Sequence, residues 1–525
     1  MPSEEKTSKS HALNDSLQTI VKGTIFVLIA LLISYVFGVI GGVLIARNWT
    51  EQELGIYSLT LSIFHISSIF SILGLNNGIV RSIAHSRGKK EYYKIADFVS
   101  TSVVYNVLAS IIISIVLYFS AGFIANQIFN EPSLILPLRI FSFALPFYTV
   151  NSMIVAYFRG YDNVMPMIYF KYLLDACLLS IFIIAIVVLG YPFIYIFYAY
   201  AFTGVIVFIG LILYGVKKHV PWSKFSIKSI FSPAAKELMI FSLPLFATAI
   251  ISLIMNWTGL LLLGTLRTTG DVGFYHVAAP FATFVGFPLG ALIVTFVPIF
   301  SGLYGKGKLK EMRNNYKTVT KWIAVATFPV FILFFLFTEL TITVIVGPNY
   351  LPSTNVLRVL CIAYIFSNFM GPCEGVLIAM GKSRFMMLST LVAAILNIAL
   401  CLILIPQYSY LGVAFGTGIS IIVFNIIKTL KIYMDGKIKP LGWNLIKPTI
   451  LSILIIFPIY YYSNKFLPHT WWSLIILVLI LYGIFIFSVL FTRSIDKDDL
   501  KLLLAIERKT GWKIKFIKKI IRRFQ

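Results

Sequence analysis

The sequence predicts an all-α membrane protein of about 14 transmembrane helices, built as two parallel six-helix repeats with two extra helices at the C-terminal end. Three observations carry this. First, 59% of the 525 residues are hydrophobic and 12% charged, with a mean hydropathy of +0.90. A chain this apolar cannot clothe water-soluble domains of roughly 100–200 residues with a solvated surface. Second, long apolar runs recur along the whole chain. A helix needs about 20 such residues to cross the hydrocarbon with its own backbone polar groups satisfied, against roughly ten alternating residues for a barrel strand. Third, a charged stretch returns. RNWTEQELGIY (47–57) is answered by RTTGDVGFY (267–275), with Glu53, Gly55 and Tyr57 matching Asp271, Gly273 and Tyr275 at a shift of 218 residues.

Residues 1–19 are polar, lack a cleavable signal pattern and are expected in the cytoplasm, so the first span serves as an uncleaved anchor. Apolar runs then fall at 20–46, 54–80, 97–122, 134–158, 165–188 and 192–214, an N-lobe over 20–215. The basic stretch VKKHVPWSKFSIKSIFSP (216–233) opens a cytoplasmic linker, 216–236. Runs at 237–263, 274–300, 318–344, 356–380, 384–406 and 411–434 form a C-lobe over 237–434. Two more, 447–464 and 470–492, complete the set within 447–492. A basic tail, 493–525, follows.

Orientation follows from Lys and Arg. With the amino terminus inside, only Arg47, Arg139, Arg267, Arg358 and Lys465 of the 44 basic residues fall outside. This is a strong positive-inside pattern and places both termini in the cytoplasm. It also accounts for the net charge of +24 without nucleic acid, since basic residues recur only in alternate loops.

The repeat extends past the charged stretch. SRGKKEYY around Gly88 matches GKGKLKEM around Gly307, and FRGYDN (158–163) matches AMGKSR (379–384), all at shifts of 218 to 221. Six spans is an even number, so the halves keep one orientation and are related by an axis along the membrane normal. Parallel repeats of this kind occur in transporters that rock one half against the other around a shared site. Gly55 and Gly273 are then expected to be equivalent hinge positions.

The motifs LIARNWTEQELGIYSLTLSI (44–63), LGLNNGIVR (73–81) and GKSRFMMLSTLVAAILNIALCLILIPQYSYLGVAFGTGIS (381–420) resemble the polysaccharide-synthesis branch of the MOP exporter superfamily. These are Wzx-like flippases of lipid-linked oligosaccharides, related more distantly to MATE drug exporters. The resemblance covers nearly the whole chain, including SIDKDDLKLL (494–503) after the last span. It implies a MATE-like MOP flippase fold and a secondary transporter of the cell membrane, not an enzyme. That transporter would move a polyprenyl-(pyro)phosphate-linked oligosaccharide by alternating access, with H+ or Na+ as a coupling ion and no cofactor. The alternatives are a MATE-like cation-coupled multidrug exporter and a membrane-embedded sugar polymerase or ligase. The outer loops are too short to house the catalysis of the last.

Such a substrate needs a polar, cation-bearing cavity open to the bilayer. Arginine suits its phosphate through bidentate, charge-assisted hydrogen bonds. The candidate substrate-binding cations are Lys22, Arg47, Arg81 and Arg267, with interfacial anchoring as the competing reading for Arg47 and Arg267 and positive-inside charge as that for Lys22 and Arg81. Asn76, Asn77, Asn106, Asn151, Asn256, Asn397 and Asn425 lie in spans, where an amide binds a hydroxyl or joins two helices. Joining is the default for each, with Asn151 and Asn256 the preferred substrate ligands. Two carboxylates sit well inside spans and are the ion-coupling candidates. Asp175 has Lys171 four residues before it, and a neutralising pair along the helix is the simpler reading. Glu374 has no such neighbour and stands among Gly371, Pro372 and Gly375, which predict a kink.

Other signals carry little. GVLIAMGKS (375–383) misses phosphate-loop spacing, and Asp496-Lys497-Asp498 reads as a helix-starting acidic cluster. Cys177, Cys361, Cys373 and Cys401 lack metal-ligand spacing. His65 and His276 read as packing or helix-joining residues. In the tail, Ile514, Ile517, Ile521 and Phe524 share one face of an amphipathic helix expected to lie on the anionic inner leaflet.

Overall fold

The computed structural model describes residues 26–27, 29–218, 232–466, 468–495 and 499. Lys22, Asp496 to Asp498 and the amphipathic tail lie outside them. The described residues contain helices and no strand. Fourteen of the helical stretches are long and apolar enough to cross a membrane. These are span 1 (Ile29–Asn48), span 2 (Glu51–Gly88), span 3 (Tyr92–Ile128), span 4 (Pro132–Gly160), span 5 (Met167–Val188), span 6 (Tyr195–Lys217) and span 7 (Pro233–Leu266). Span 8 (Thr269–Gly290), span 9 (Leu309–Leu336), span 10 (Ser353–Met370), span 11 (Ser383–Tyr408), span 12 (Tyr410–Gly436), span 13 (Trp443–Tyr462) and span 14 (Trp471–Phe491) follow.

Among the described residues every apolar run is helical, but the ends differ. Span 3 has 37 residues and is about 55 Å long at 1.5 Å per residue, against a hydrocarbon core of about 30 Å. Hydropathy marks where lipid begins, whereas a helix continues into water as long as its polar residues tolerate it. Three runs are also interrupted, that at 318–344 by a bend at Phe337 between the helices Leu309–Leu336 and Thr338–Ile345. Span 2 breaks at Leu73 and Gly74, both with left-handed φ, into Glu51–Ile72 and Leu75–Gly88. The run 356–380 breaks at Gly371, φ +73°, before the short helix Cys373–Ala379, the interruption expected around Glu374.

The helices form two compact units, residues 26–276 and residues from Val277 onward. In the first, span 4 is central and packs on spans 2, 3 and 6, while span 7 packs on spans 2 and 3. Leu75, Ile79 and Ile83 of span 2 meet Phe98, Met153 and Leu238 in its core. In the second unit, span 12 packs on spans 10 and 11, and span 9 on spans 10, 13 and 14. Its core gathers Phe300, Tyr316, Ile323, Leu377 and Ile432.

Candidate functional site

Within the 26–276 unit, the two stretches that match in sequence meet in space. Each opens its helix in the same way. The Thr50 hydroxyl accepts from the Glu53 backbone N–H at 3.3 Å while the Glu53 carboxylate accepts from the Thr50 N–H at 3.0 Å. Thr268 and Asp271 repeat both bonds, each at 3.3 Å. These reciprocal caps satisfy donors that a helix start leaves orphaned. Gly55 then faces Thr269, whose carbonyl oxygen would lie 1.8 Å from a Cβ at residue 55. Gly273 faces Glu51, whose carbonyl oxygen would lie 2.1 Å from a Cβ there. One turn on, Ser58 Oγ and His276 Nδ1 are hydrogen-bonded at 2.8 Å. Residues 51, 55 and 58 map onto 269, 273 and 276 at the 218-residue shift, so the crossing has local two-fold symmetry, like an isologous interface. Both glycines have ordinary helical φ, so they provide close approach rather than a bend. The Ser58 bond is the helix-joining role read for His276. His65 is a packing residue, stacked on Trp257 at 5.2 Å.

The same unit holds a cavity of about 200 Å³, with polar side chains in its lining, among spans 1, 4, 5 and 6. Span 4 lines it with Tyr148, Asn151, Ser152 and Val155, spaced i, i+3, i+4 and i+7 along one helix face. Span 5 contributes Lys171, Tyr172 and Asp175, and span 6 contributes Gly204, Val207 and Leu211. Asn151 Nδ2 donates to the Gly204 carbonyl at 2.9 Å, joining spans 4 and 6. Its Oδ1 is buried and accepts no hydrogen bond. A buried, unpaired acceptor is costly, so a ligand, ion or water with a proton or positive charge is favoured there.

Lys171 and Asp175 take part in none of the ion pairs among the described residues, so the direct pair expected along the helix is not made. The chain passes through this part of span 5 as a π-helix, Met167–Leu174, a distortion frequent at functional sites. A carboxylate, an ammonium and an unsatisfied amide oxygen thus share one intramembrane cavity. Such a set exchanges a proton or holds a small cation.

A larger groove, about 600 Å³, lies where the second half of span 2 meets span 7. Its walls are Pro233, Ile240, Phe241, Pro244 and Leu245, with Lys236 and Glu237 toward the start of span 7. Arg81 lies over the Phe241 ring at 3.9 Å from the centroid. The guanidinium is held by cation–π stacking, which leaves its in-plane donors available to an anion.

The other candidates fall outside both spaces. Arg47 and Arg267 are exposed at the ends of spans 1 and 7. Asn256 is exposed and bonds the Ser252 carbonyl of its own helix at 2.7 Å. Asn425 likewise bonds Ile421 of its own helix, while Asn106 and Asn397 join helices, to Ser71 and Thr417. Glu374 is exposed in the first turn of Cys373–Ala379, and it is not isolated, because Lys428 of span 12 interacts with it electrostatically. Lys428 is 5% exposed, with Nζ 3.7 Å from the Phe424 ring centroid. Sequence reading missed this residue because it counts as one more basic residue near an inner loop. Only its burial distinguishes it.

A family model described as "Polysaccharide biosynthesis protein" matches residues 24–355. Stage V sporulation protein B of Bacillus subtilis (strain 168) is 20% identical over 434 residues, 79% of this chain and 82% of that protein. The putative O-antigen transporter of Shigella flexneri is 21% identical over 389 residues, 72% of this chain and 89% of that protein. Among solved structures, the lipid II flippase MurJ in an inward closed conformation aligns with a TM-score of 0.70 at 17% identity, covering 90% of this chain and 99% of that one. An inward-facing MATE family multidrug resistance transporter of the MOP superfamily aligns with a TM-score of 0.64 at 15% identity, covering 77% and 94%. The fold is that of the MOP superfamily.

Proposed function

The chain belongs to the polysaccharide biosynthesis protein family, and from that premise we propose that it flips a polyprenyl-(pyro)phosphate-linked oligosaccharide from the inner to the outer leaflet of the cell membrane. The observation that carries this is the groove of Arg81, a guanidinium set against an apolar wall. A ligand with a phosphate at one end and a long hydrocarbon along its length matches that arrangement, and a small polar solute does not. The similarity to an O-antigen transporter and a lipid II flippase supports the same substrate class. The cavity of Asp175, Lys171 and Asn151 is the place for a coupling H+ or Na+. Arg47, Arg267 and Glu374 keep secondary roles, the arginines on the outer path of the phosphate and Glu374 as a carboxylate steadied by Lys428.

The test is a reconstituted vesicle in which the lipid-linked sugar becomes accessible to an enzyme on the opposite face. Arg81→Ala is expected to slow flipping about tenfold or more, the value of charge-assisted hydrogen bonds at about 1.5–3 kcal/mol, with Arg81→Lys recovering only part. Asp175→Asn is expected to abolish the response to an ion gradient while substrate still binds. Full flipping with Arg81 neutralised, or export of small cationic drugs without movement of the lipid-linked sugar, overturns the flippase in favour of a MATE-like exporter.

Topology has its own measurement. Cysteines placed singly at Lys90, Lys306 and Lys439, all exposed, should resist an impermeant thiol reagent added outside, and one at Pro468 should react. The background lacks the four native cysteines. Outside labelling of Lys90→Cys and Lys306→Cys would invert the assigned orientation.

A further inference from the structure

The unit from Val277 onward contains a second polar cavity, lined by none of the residues assigned to transport. It measures about 250 Å³ and lies between the first turns of span 9 and the start of span 13. Asn314, Lys317, Thr318 and Lys321 line it from one face of span 9, at i, i+3, i+4 and i+7. Asn444 and Trp443 line it from span 13. Among the described residues, the side chains of Asn314, Lys317 and Thr318 form no hydrogen bond or ion pair, although Thr318 is only 5% exposed. Lys321, 7% exposed, is gripped from the far side by the segment after span 14. Its Nζ donates to the Ser494 carbonyl at 2.9 Å and to Asp499 Oδ2 at 2.5 Å. Trp322 Nε1 donates to Asp499 Oδ1 at 2.9 Å.

Among the described residues, the acidic side chains of the flanking segments are already engaged. Glu311 is paired with Lys308, Asp435 with Lys382 and Lys431, and Asp499 with Lys321. Lys310, Lys437, Lys439 and Lys447 add positive charge along the same chain segments. The cavity is therefore a positive, donor-rich hollow with amide and hydroxyl groups left to bond. Trp443, 72% exposed at the first residue of span 13, has the placement of an interfacial aromatic at the headgroup level. We infer that this cavity binds the phosphate of an anionic lipid headgroup from the leaflet facing the basic loops. Lys317, Asn314 and Thr318 hold the phosphate oxygens. Lys321 is shared between the headgroup and Asp499, so occupancy steadies the docking of the chain after span 14 onto span 9.

The full chain, purified in a neutral detergent, is titrated with short-chain phosphatidylglycerol, short-chain phosphatidylcholine or inorganic phosphate, and its thermal unfolding midpoint is followed. Phosphatidylglycerol is expected to raise the midpoint saturably and phosphatidylcholine to leave it unchanged. Lys317→Gln, an exposed position, should raise the half-effect concentration about tenfold, the worth of a charge-assisted hydrogen bond. Asp499→Asn, which removes the carboxylate bonded to Lys321 Nζ at 2.5 Å, should gain more from phosphatidylglycerol than the unaltered chain does. Equal half-effect concentrations in the unaltered chain and Lys317→Gln overturn the site. A full response to inorganic phosphate overturns the headgroup and identifies a free phosphate ligand instead.

Discussion

Gly55→Val and Gly273→Val will each lower transport about 5- to 150-fold while the protein still inserts in the membrane. The Cβ positions would lie 1.8 Å from the Thr269 carbonyl oxygen and 2.1 Å from the Glu51 carbonyl oxygen, far inside van der Waals contact. The obstructing atoms belong to helical backbone, so no side chain can turn aside. Spans 2 and 8 must separate by more than an ångström at this crossing. Overpacking of this kind costs about 1–3 kcal/mol, and if the crossing closes in one state of the transport cycle only, the whole cost shifts the balance between states by that 5- to 150-fold factor. Valine also strips the Ser58–His276 bond of its geometry one turn further on. Because the crossing is two-fold symmetric, the two variants should behave alike. Flipping in reconstituted vesicles checks the effect, with size-exclusion profiles in detergent confirming folding. Unchanged transport in both would leave the repeat as ancestry alone.

The largest loss of stability is expected from Lys321→Met. Asp499 is 0% exposed and Lys321 7%, so removing the ammonium takes a charged partner from a carboxylate in the interior, which keeps its hydrogen bond from the Trp322 indole. Breaking a buried ion pair from one side costs about 3–5 kcal/mol, whereas replacing both members by apolar residues of similar volume is often neutral. Lys321→Met should therefore lower the thermal unfolding midpoint strongly, and Lys321→Met with Asp499→Leu should recover most of it. Salt should change the result little, because screening acts weakly on buried charges. A double variant as unstable as the single one would show that the carboxylate is not what the lysine neutralises.

The two effects differ in how much of them could be read in advance. Gly55, Gly273 and their capping residues stand out as a repeat, and the Thr-x-x-acid spacing is a local signal of a helix start. That the two copies touch is not local, since the pairing joins residues 218 positions apart. Asp499 lies in a stretch notable only for its acidic and leucine content. Its partner is 178 positions away, where the basic first turns of span 9 give way to its apolar part, so nothing nearby in sequence marks either residue as buried. The cavity of Asp175 sits between these extremes. Asn151, Lys171 and Asp175 stand out in the sequence, but the company of Tyr148 and Ser152 and the failure of Lys171 and Asp175 to pair depend on the surrounding fold.

By itself the sequence determined the membrane setting, the fourteen crossings, the duplicated architecture and the family. Each of these depends on a property summed over roughly 20 neighbouring residues, namely the transfer of a helix into hydrocarbon, or on a copied local motif. Only the tertiary structure decided which face of each helix turns inward. Lipid tails are as apolar as the packed interior, so a spanning helix has no strong hydrophobic gradient to mark its buried side. The few polar groups that matter, Arg81 over Phe241, Asn151 on Gly204 and Lys321 on Asp499, acquire their roles from partners on other helices. In a low-dielectric interior, the position of that partner sets whether a charge is a cost or a site.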